Sequence, residues 1–169
     1  EIENIRALGV NTLSVVSHYD YRNGEPVLAN QKQDYIDRIT KAKNAGFAVL
    51  LVPDFVGGEN SKIPVSLGEF LDDARNISLE WAQIAEEYNV EYFAPQNEFD
   101  WVIRFSFYNN APEKFEEGIN ISNRWHVDIL PEIKKSDSIK TISPKKLPIQ
   151  PQISDKKTSN NKISKSQYT

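Results

Sequence analysis

Three segments of this chain repeat one grammar: a helical stretch, a residue that tolerates positive φ, then an apolar strand. Ile2, Ile5 and Leu8 keep helical spacing; Gly9 stops that helix, and Val10 to Val16 reads as a buried strand. Tyr35, Ile36, Ile39 and Ala42 share a second helical face; Gly46 stops it, and Phe47 to Val52 follows as a strand. Phe70, Leu71, Ala74, Leu79, Trp81, Ile84, Ala85 and Tyr88 mark a third, longer helix, stopped by Asn89 before the strand Val90 to Ala94. Gly and Asn suit the position just past a helix end because they accept left-handed backbone. The strands lack clean alternation, as parallel strands covered on both faces do. Gly9, Gly46 and Asn89 stand 37 and 43 residues apart, one βα unit each. The expectation is an α/β fold with parallel strands near 10–16, 47–52 and 90–95, adjacent in sequence order, in a (β/α) barrel or a doubly wound open sheet. Gly57-Gly58 stands alone and no Gly-rich phosphate loop follows any strand, which disfavours a nucleotide-binding fold.

Length narrows the choice. The chain has 169 residues, enough for one domain with a real core, whereas a complete (β/α)8 barrel usually needs about 250. It has no Met and opens on Glu1 in what reads as the end of a helix, so a piece of a longer or processed product is expected. Cysteine is absent, which excludes disulfides and thiolate metal sites. No stretch approaches the ~20 apolar residues of a membrane span, so no membrane partner is expected. Residues 1–135 hold 13 Lys+Arg against 22 Asp+Glu, a balance of −9, while residues 136–169 hold 7 Lys against 2 Asp, a balance of +5. An acidic body argues against nucleic acid as a partner. Residues 143–169 carry three prolines, many polar residues and one aromatic, Tyr168, too little apolar surface to offset ordering entropy. Residues 1–142 are therefore assigned to a partial (β/α) barrel, with a fourth strand starting within 139–142, and residues 143–169 to a disordered basic tail.

The run Val90-Glu91-Tyr92-Phe93-Ala94-Pro95-Gln96-Asn97-Glu98 carries the strongest chemical signal. A strand ending in an amide and a carboxylic acid sets both at one mouth of a sheet, where barrel enzymes hold their chemistry. Glu98 can serve there as general acid and base, and Asn97 can hold a sugar hydroxyl. The rival readings are a surface Glu and a turn Asn in left-handed backbone. His18 and Tyr19 end the first strand and Asp54 the second, which suggests substrate contact or support; the rivals are a self-packed loop cluster and a turn cap before Gly57-Gly58. An aromatic-rich loop is expected over 99–108, with Trp101 offering a face to a sugar ring unless it packs in the core. A further helix runs from Ala111-Pro112-Glu113 to about Lys135, bent or ended by Pro131. Trp81 and Trp125 sit at core spacing on helices. His18 and His126 have no H-x-x-x-H partner, so no metal site is expected.

With these pieces in view, the chain resembles the clan of retaining, TIM-barrel glycoside hydrolases that includes cellulases, β-mannanases and endo-galactanases. The matching pieces are Ala7-Leu8-Gly9-Val10-Asn11-Thr12 entering strand two, Ala42-Lys43-Asn44-Ala45-Gly46-Phe47 entering strand three, and Ala85-Glu86-Glu87-Tyr88-Asn89-Val90-Glu91 entering strand four. The resemblance spans residues 1 to about 135. It implies that Glu98 is the acid/base, that Asn97 binds the hydroxyl next to the anomeric carbon, and that a second Glu, at the end of strand seven, is the nucleophile. The chain has no counterpart of strand one or of strands six to eight, and Phe99 stands where many clan members have Pro. The implied activity is retaining hydrolysis of a β-linked oligo- or polysaccharide without metal or organic cofactor, incomplete here for want of the nucleophile. Two other classes remain open. One is a non-catalytic carbohydrate-binding or interaction protein on a decayed barrel; the other is a barrel enzyme using Glu98 to abstract a proton.

Overall fold

A computed structural model describes residues 2–55 and 63–135. In chain order the elements are α1 (Ile2–Ala7), β1 (Thr12–Arg22), β2 (Glu25–Leu28), α2 (Lys32–Asn44), β3 (Ala48–Phe55), α3 (Leu67–Glu87), β4 (Tyr92–Phe93), α4 (Phe99–Tyr108) and α5 (Phe115–Ile133), with a short 3-10 turn at Pro112–Lys114 before α5. The sheet order is β2-β1-β3-β4. β1, β3 and β4 are parallel neighbours, as the repeated grammar predicts.

The joints behave as their residue types require. Gly9, Gly46 and Asn89 all have positive φ, at 79°, 78° and 51°. After α2 the Gly46 N–H reaches Lys43 O and the Phe47 N–H reaches Ala42 O; after α3 the Asn89 N–H reaches Glu86 O and the Val90 N–H reaches Ala85 O. These bonds occupy carbonyls that a helix end leaves open, and they turn the chain straight into the next strand. At its other end α3 is closed by a capping box: Ser66 Oγ accepts from Glu69 N–H, and the Glu69 carboxylate accepts from Ser66 N–H.

One face of the sheet carries the core. Val15 and Tyr19 on β1 and Val49, Leu51 and Phe55 on β3 are buried, with Val15 opposite Leu51 and Tyr19 opposite Phe55. They pack with Tyr35 and Ile39 of α2 and with Phe70, Ala74 and Trp81 of α3. An aromatic chain extends the core outward: Phe55 meets Phe70 at 5.0 Å between ring centroids, Phe70 meets Phe99 at 5.3 Å, and Phe99 meets Trp125 at 4.4 Å. The core roles expected of Trp81 and Trp125 hold. The Trp81 indole is fully buried and donates to Tyr19 Oη at 2.8 Å, and Trp125 is buried and donates to Leu71 O at 3.2 Å.

Three expectations need correction. First, β1 does not end near Val16 but runs to Arg22 and folds back as an antiparallel hairpin with β2. Asn23 and Gly24 form its two-residue turn, both with positive φ, and Asn-Gly is the dipeptide such turns favour. Second, β4 is only two residues long. Pro95 brings no N–H to a ladder, and the Glu91 carboxylate takes the Val49 N–H at 2.9 Å where a neighbouring strand would supply a carbonyl. Third, residues 99–108 form helix α4, not a loop. Phe99, Val102 and Ile103 are buried, and this i, i+3, i+4 face is enough to hold a helix against α5. The last helix reaches Ile133, close to its expected end, with Pro131 inside it, so of the two readings of Pro131 the helix end is excluded. The expected strand within 139–142, the boundary at 142/143, the tail 143–169 and Gly57-Gly58 lie outside the described residues.

The buried Tyr19–Trp81 bond makes a direct check of this core. Tyr19→Phe leaves the indole N–H without its acceptor in a dry site, and its expected cost is about 1–3 kcal/mol in urea unfolding. A loss below a few tenths would show that the bond does not hold the sheet to α3.

Candidate functional site

Parallel pairing builds the site. The β1–β3 register sets His18 opposite Asp54, one residue before the pairing ends at Tyr19 opposite Phe55. Successive strand residues face opposite sides. Tyr19 and Phe55 face the helices, so His18 and Asp54 face away from them, toward what is the interior of a closed barrel. His18 Nδ1 lies 3.0 Å from Asp54 Oδ2; the His18 side chain is 48% exposed and that of Asp54 only 15%. Past β4 the chain turns through Gln96, and Asn97 and Glu98 arrive at the same end of the sheet. Both act on the Asp54 carboxyl, Asn97 favouring its charged form and Glu98 disfavouring it. Four of the six candidate residues are thus drawn together at the C-terminal ends of three consecutive parallel strands.

Burial raises the Asp54 pKa above the ordinary carboxylate value. His18, by its charge and hydrogen bond, and the Asn97 hydrogen bond counter this, while the Glu98 charge adds to it. Asp54 is therefore the group of this mouth that takes up a proton more readily than a free carboxylate.

Glu98 has left-handed backbone, φ 43° and ψ 38°, at the N-terminal boundary of α4. The turn reading of Asn97 placed such a conformation one residue earlier; the structure gives it to Glu98, which lacks the tolerance of Gly or Asn. Phe99, buried against Phe70 and Trp125, fixes the chain immediately after it. Asn97 and Glu98 are themselves exposed. Below them Ser78 Oγ donates to Pro95 O at 2.7 Å, so the turn rests on α3.

The two other candidates lie elsewhere. Tyr19 is in the core, 5% exposed, with its hydroxyl engaged by Trp81 and its pKa pushed up to about 12, chiefly by burial. Adjacent residues of one strand cannot both face the mouth, which removes Tyr19 from the substrate-facing set. Trp101 sits in the first turn of α4, 38% exposed, against Phe105 at 4.1 Å between centroids and with the Arg104 guanidinium 5.7 Å from its ring. It keeps an open surface but on a helix rather than a loop. Among the described residues no group of three or more His, Cys, Asp or Glu could hold a metal ion. No described helix is long and apolar enough to cross a membrane. The hydrogen bond between His18 and Asp54 was not foreseen; the signal for it is the pair of polar side chains closing two neighbouring parallel strands.

The fold and this mouth define an incomplete (β/α) barrel, open beside its parallel strands. The chain is similar to a solved structure of a GH113 β-1,4-mannanase, with a TM-score of 0.52 and 19% identity over 80% of this chain and 45% of that one. A second structure, of a GH113 β-1,4-mannanase complex, gives a TM-score of 0.51 and 18% identity over 78% and 43%. The likeness is one of fold, and the chain spans less than half the length of either mannanase. No protein-family model and no curated protein sequence matches the chain.

The raised Asp54 pKa has a signed consequence. The folded state holds this proton better than the unfolded state, whose reference value is 3.8. The Asp54 contribution to stability is therefore fully present below that value and is lost as pH rises through the raised one. Asp54→Asn cannot titrate. In urea unfolding between about pH 3 and about pH 7, the stability of this variant relative to the parent should climb with pH across that window. A constant difference across the range would mean that Asp54 is not perturbed.

Proposed function

We propose that this chain is the strand-two to strand-four portion of a retaining glycoside hydrolase acting on a β-linked oligo- or polysaccharide. The observation that carries the reading is the meeting of Asn97 and Glu98 with Asp54 and His18 at the C-terminal mouth of a partial barrel. The fold likeness to β-1,4-mannanases supports it and makes β-1,4-linked mannan the first substrate to test.

In this reading Glu98 protonates the leaving glycosidic oxygen and then takes the proton of the attacking water. Asn97 holds a hydroxyl of the sugar undergoing cleavage. His18 and Asp54 line the floor of the same subsite, and the exposed face of Trp101 stacks on a sugar ring farther along. The retaining mechanism needs a second carboxylate about 5–5.5 Å from the first. Asp54 is a poor nucleophile, since it is largely buried and engaged by His18. The nucleophile is assigned to a part of the barrel outside the described residues, as the resemblance implies. No metal or organic cofactor enters the reaction, because two carboxylates supply all its proton transfers and its covalent intermediate.

The test has two arms. The 169-residue chain, assayed with aryl β-glycosides and β-linked polysaccharides, should show no Glu98-dependent turnover. In a polypeptide that carries the rest of the barrel, Glu98→Gln should lower turnover of natural substrate by about 10²–10⁴-fold. An activated aryl glycoside should still undergo the first step in that variant, because its leaving group needs little acid help. Unchanged polysaccharide turnover by Glu98→Gln removes Glu98 from the mechanism. Robust Glu98-dependent turnover by the monomeric 169-residue chain would mean that a carboxylate within it, Asp54 or Asp100, is the nucleophile.

A further inference from the structure

We propose that Asp54 is the positioning residue of this mouth, holding His18 as its Nδ1–H tautomer so that Nε2 presents an acceptor to the ligand. An ionised carboxylate has lone pairs and no proton, so each of its partners must donate to it. His18 reaches Asp54 Oδ2 through Nδ1 at 3.0 Å. A neutral imidazole carries one N–H, and here it is spent on Asp54, which leaves Nε2 as a lone pair on a ring that is 48% exposed. The mouth thus offers an imidazole acceptor, which a ligand hydroxyl can satisfy as donor.

The arrangement has a reason to be rigid. Asp54 belongs to β3 and His18 to β1, so their bond ties together the ends of two parallel strands. The Asp54 side chain is only 15% exposed, and hydrogen bonds to a charged acceptor away from bulk water are the strong ones. The use of this acceptor on a sugar rests on the glycoside reading above; the fixing of the tautomer does not.

The chain contains two histidines, which makes the test clean. His126 Nδ1 lies 2.7 Å from the Ser122 carbonyl oxygen, also an obligate acceptor, so His126 is Nδ1–H as well and serves as an internal control. In ¹⁵N-labelled protein at about pH 8.5, above the ordinary imidazole range, long-range ¹⁵N–¹H correlations report which ring nitrogen carries the proton. Both histidines should show a protonated Nδ1. In Asp54→Ala, His18 should move to the Nε2–H form that an unconstrained imidazole prefers, and His126 should stay. A His18 ring protonated at Nε2 in the parent protein overturns the proposal whatever the variant does. So does a folded Asp54→Ala protein in which the His18 tautomer is unchanged. The spectra are recorded without ligand, so their failure removes the positioning role and leaves the glycoside reading to the turnover assays.

Discussion

The parallel pairing of β1 with β3 is the constraint on which the rest depends. Its register, with Val15 opposite Leu51 and His18 opposite Asp54, decides in one step what is core and what is mouth. A slip of one residue would carry Tyr19 and Phe55 to the open face and put His18 and Asp54 among the helices. The register is held from both sides. The caps at Gly9 and Gly46 deliver both strands from their helices in left-handed backbone, and the aromatic packing of Tyr19, Phe55 and Phe70 fixes the far end. The same feature that buries the apolar side chains therefore sets a histidine beside an aspartate at the strand ends.

Glu98 shows the second half of this logic. Left-handed backbone at a residue with a full side chain costs about 1–2 kcal/mol, so something must hold it. The holding comes from its neighbours. Phe99 is buried against Phe70 and Trp125 at the start of α4, and Ser78 anchors Pro95 from α3. Between these anchors the chain has few residues with which to turn from strand to helix, and Glu98 absorbs the turn. Strain of this kind gathers at functional positions because it aims a side chain that relaxed backbone would send elsewhere. Helix α4 thus has a purpose that a loop could not serve as well, since it gives Glu98 a rigid element to lean on.

What was legible in the sequence follows from how local each determinant is. Gly9, Gly46 and Asn89 announce the three joints because a left-handed cap leaves few residue choices. Asn97-Glu98 stands out because it follows such a unit directly. The hairpin was equally local, with Asn23-Gly24 between two strand-like runs, but the apolar run before it suggested a strand already ended. Helix α4 was harder to read. Five of its ten residues are aromatic, and side chains that suit strands and loops as well as helices leave periodicity as the only guide. Tyr19 was misplaced because strand-end position was weighed ahead of alternation, which sends it to the opposite face from His18. The bond between His18 and Asp54 joins residues 36 apart in sequence; it depends on register and has no local signature.

Asp54 is where fold and chemistry meet. A largely buried carboxylate weakens a small α/β unit unless its partners compensate, and His18 and Asn97 compensate only in part, since the net shift of its pKa is still upward. An apolar residue at this position would suit the sheet better, as Val52 does two residues earlier on the same face, 7% exposed. In the proposed reading an aspartate there serves to orient a polar group of the neighbouring strand, His18, at the end of the sheet where a barrel opens. The helices on the far side carry the stability that tolerates this cost, through Trp81, Phe70 and the aromatic chain behind them. The division is spatial: the helix-facing half of each strand holds the fold together, and the opposite half, released from that duty, is free to carry His18, Asp54 and the acceptor they arrange.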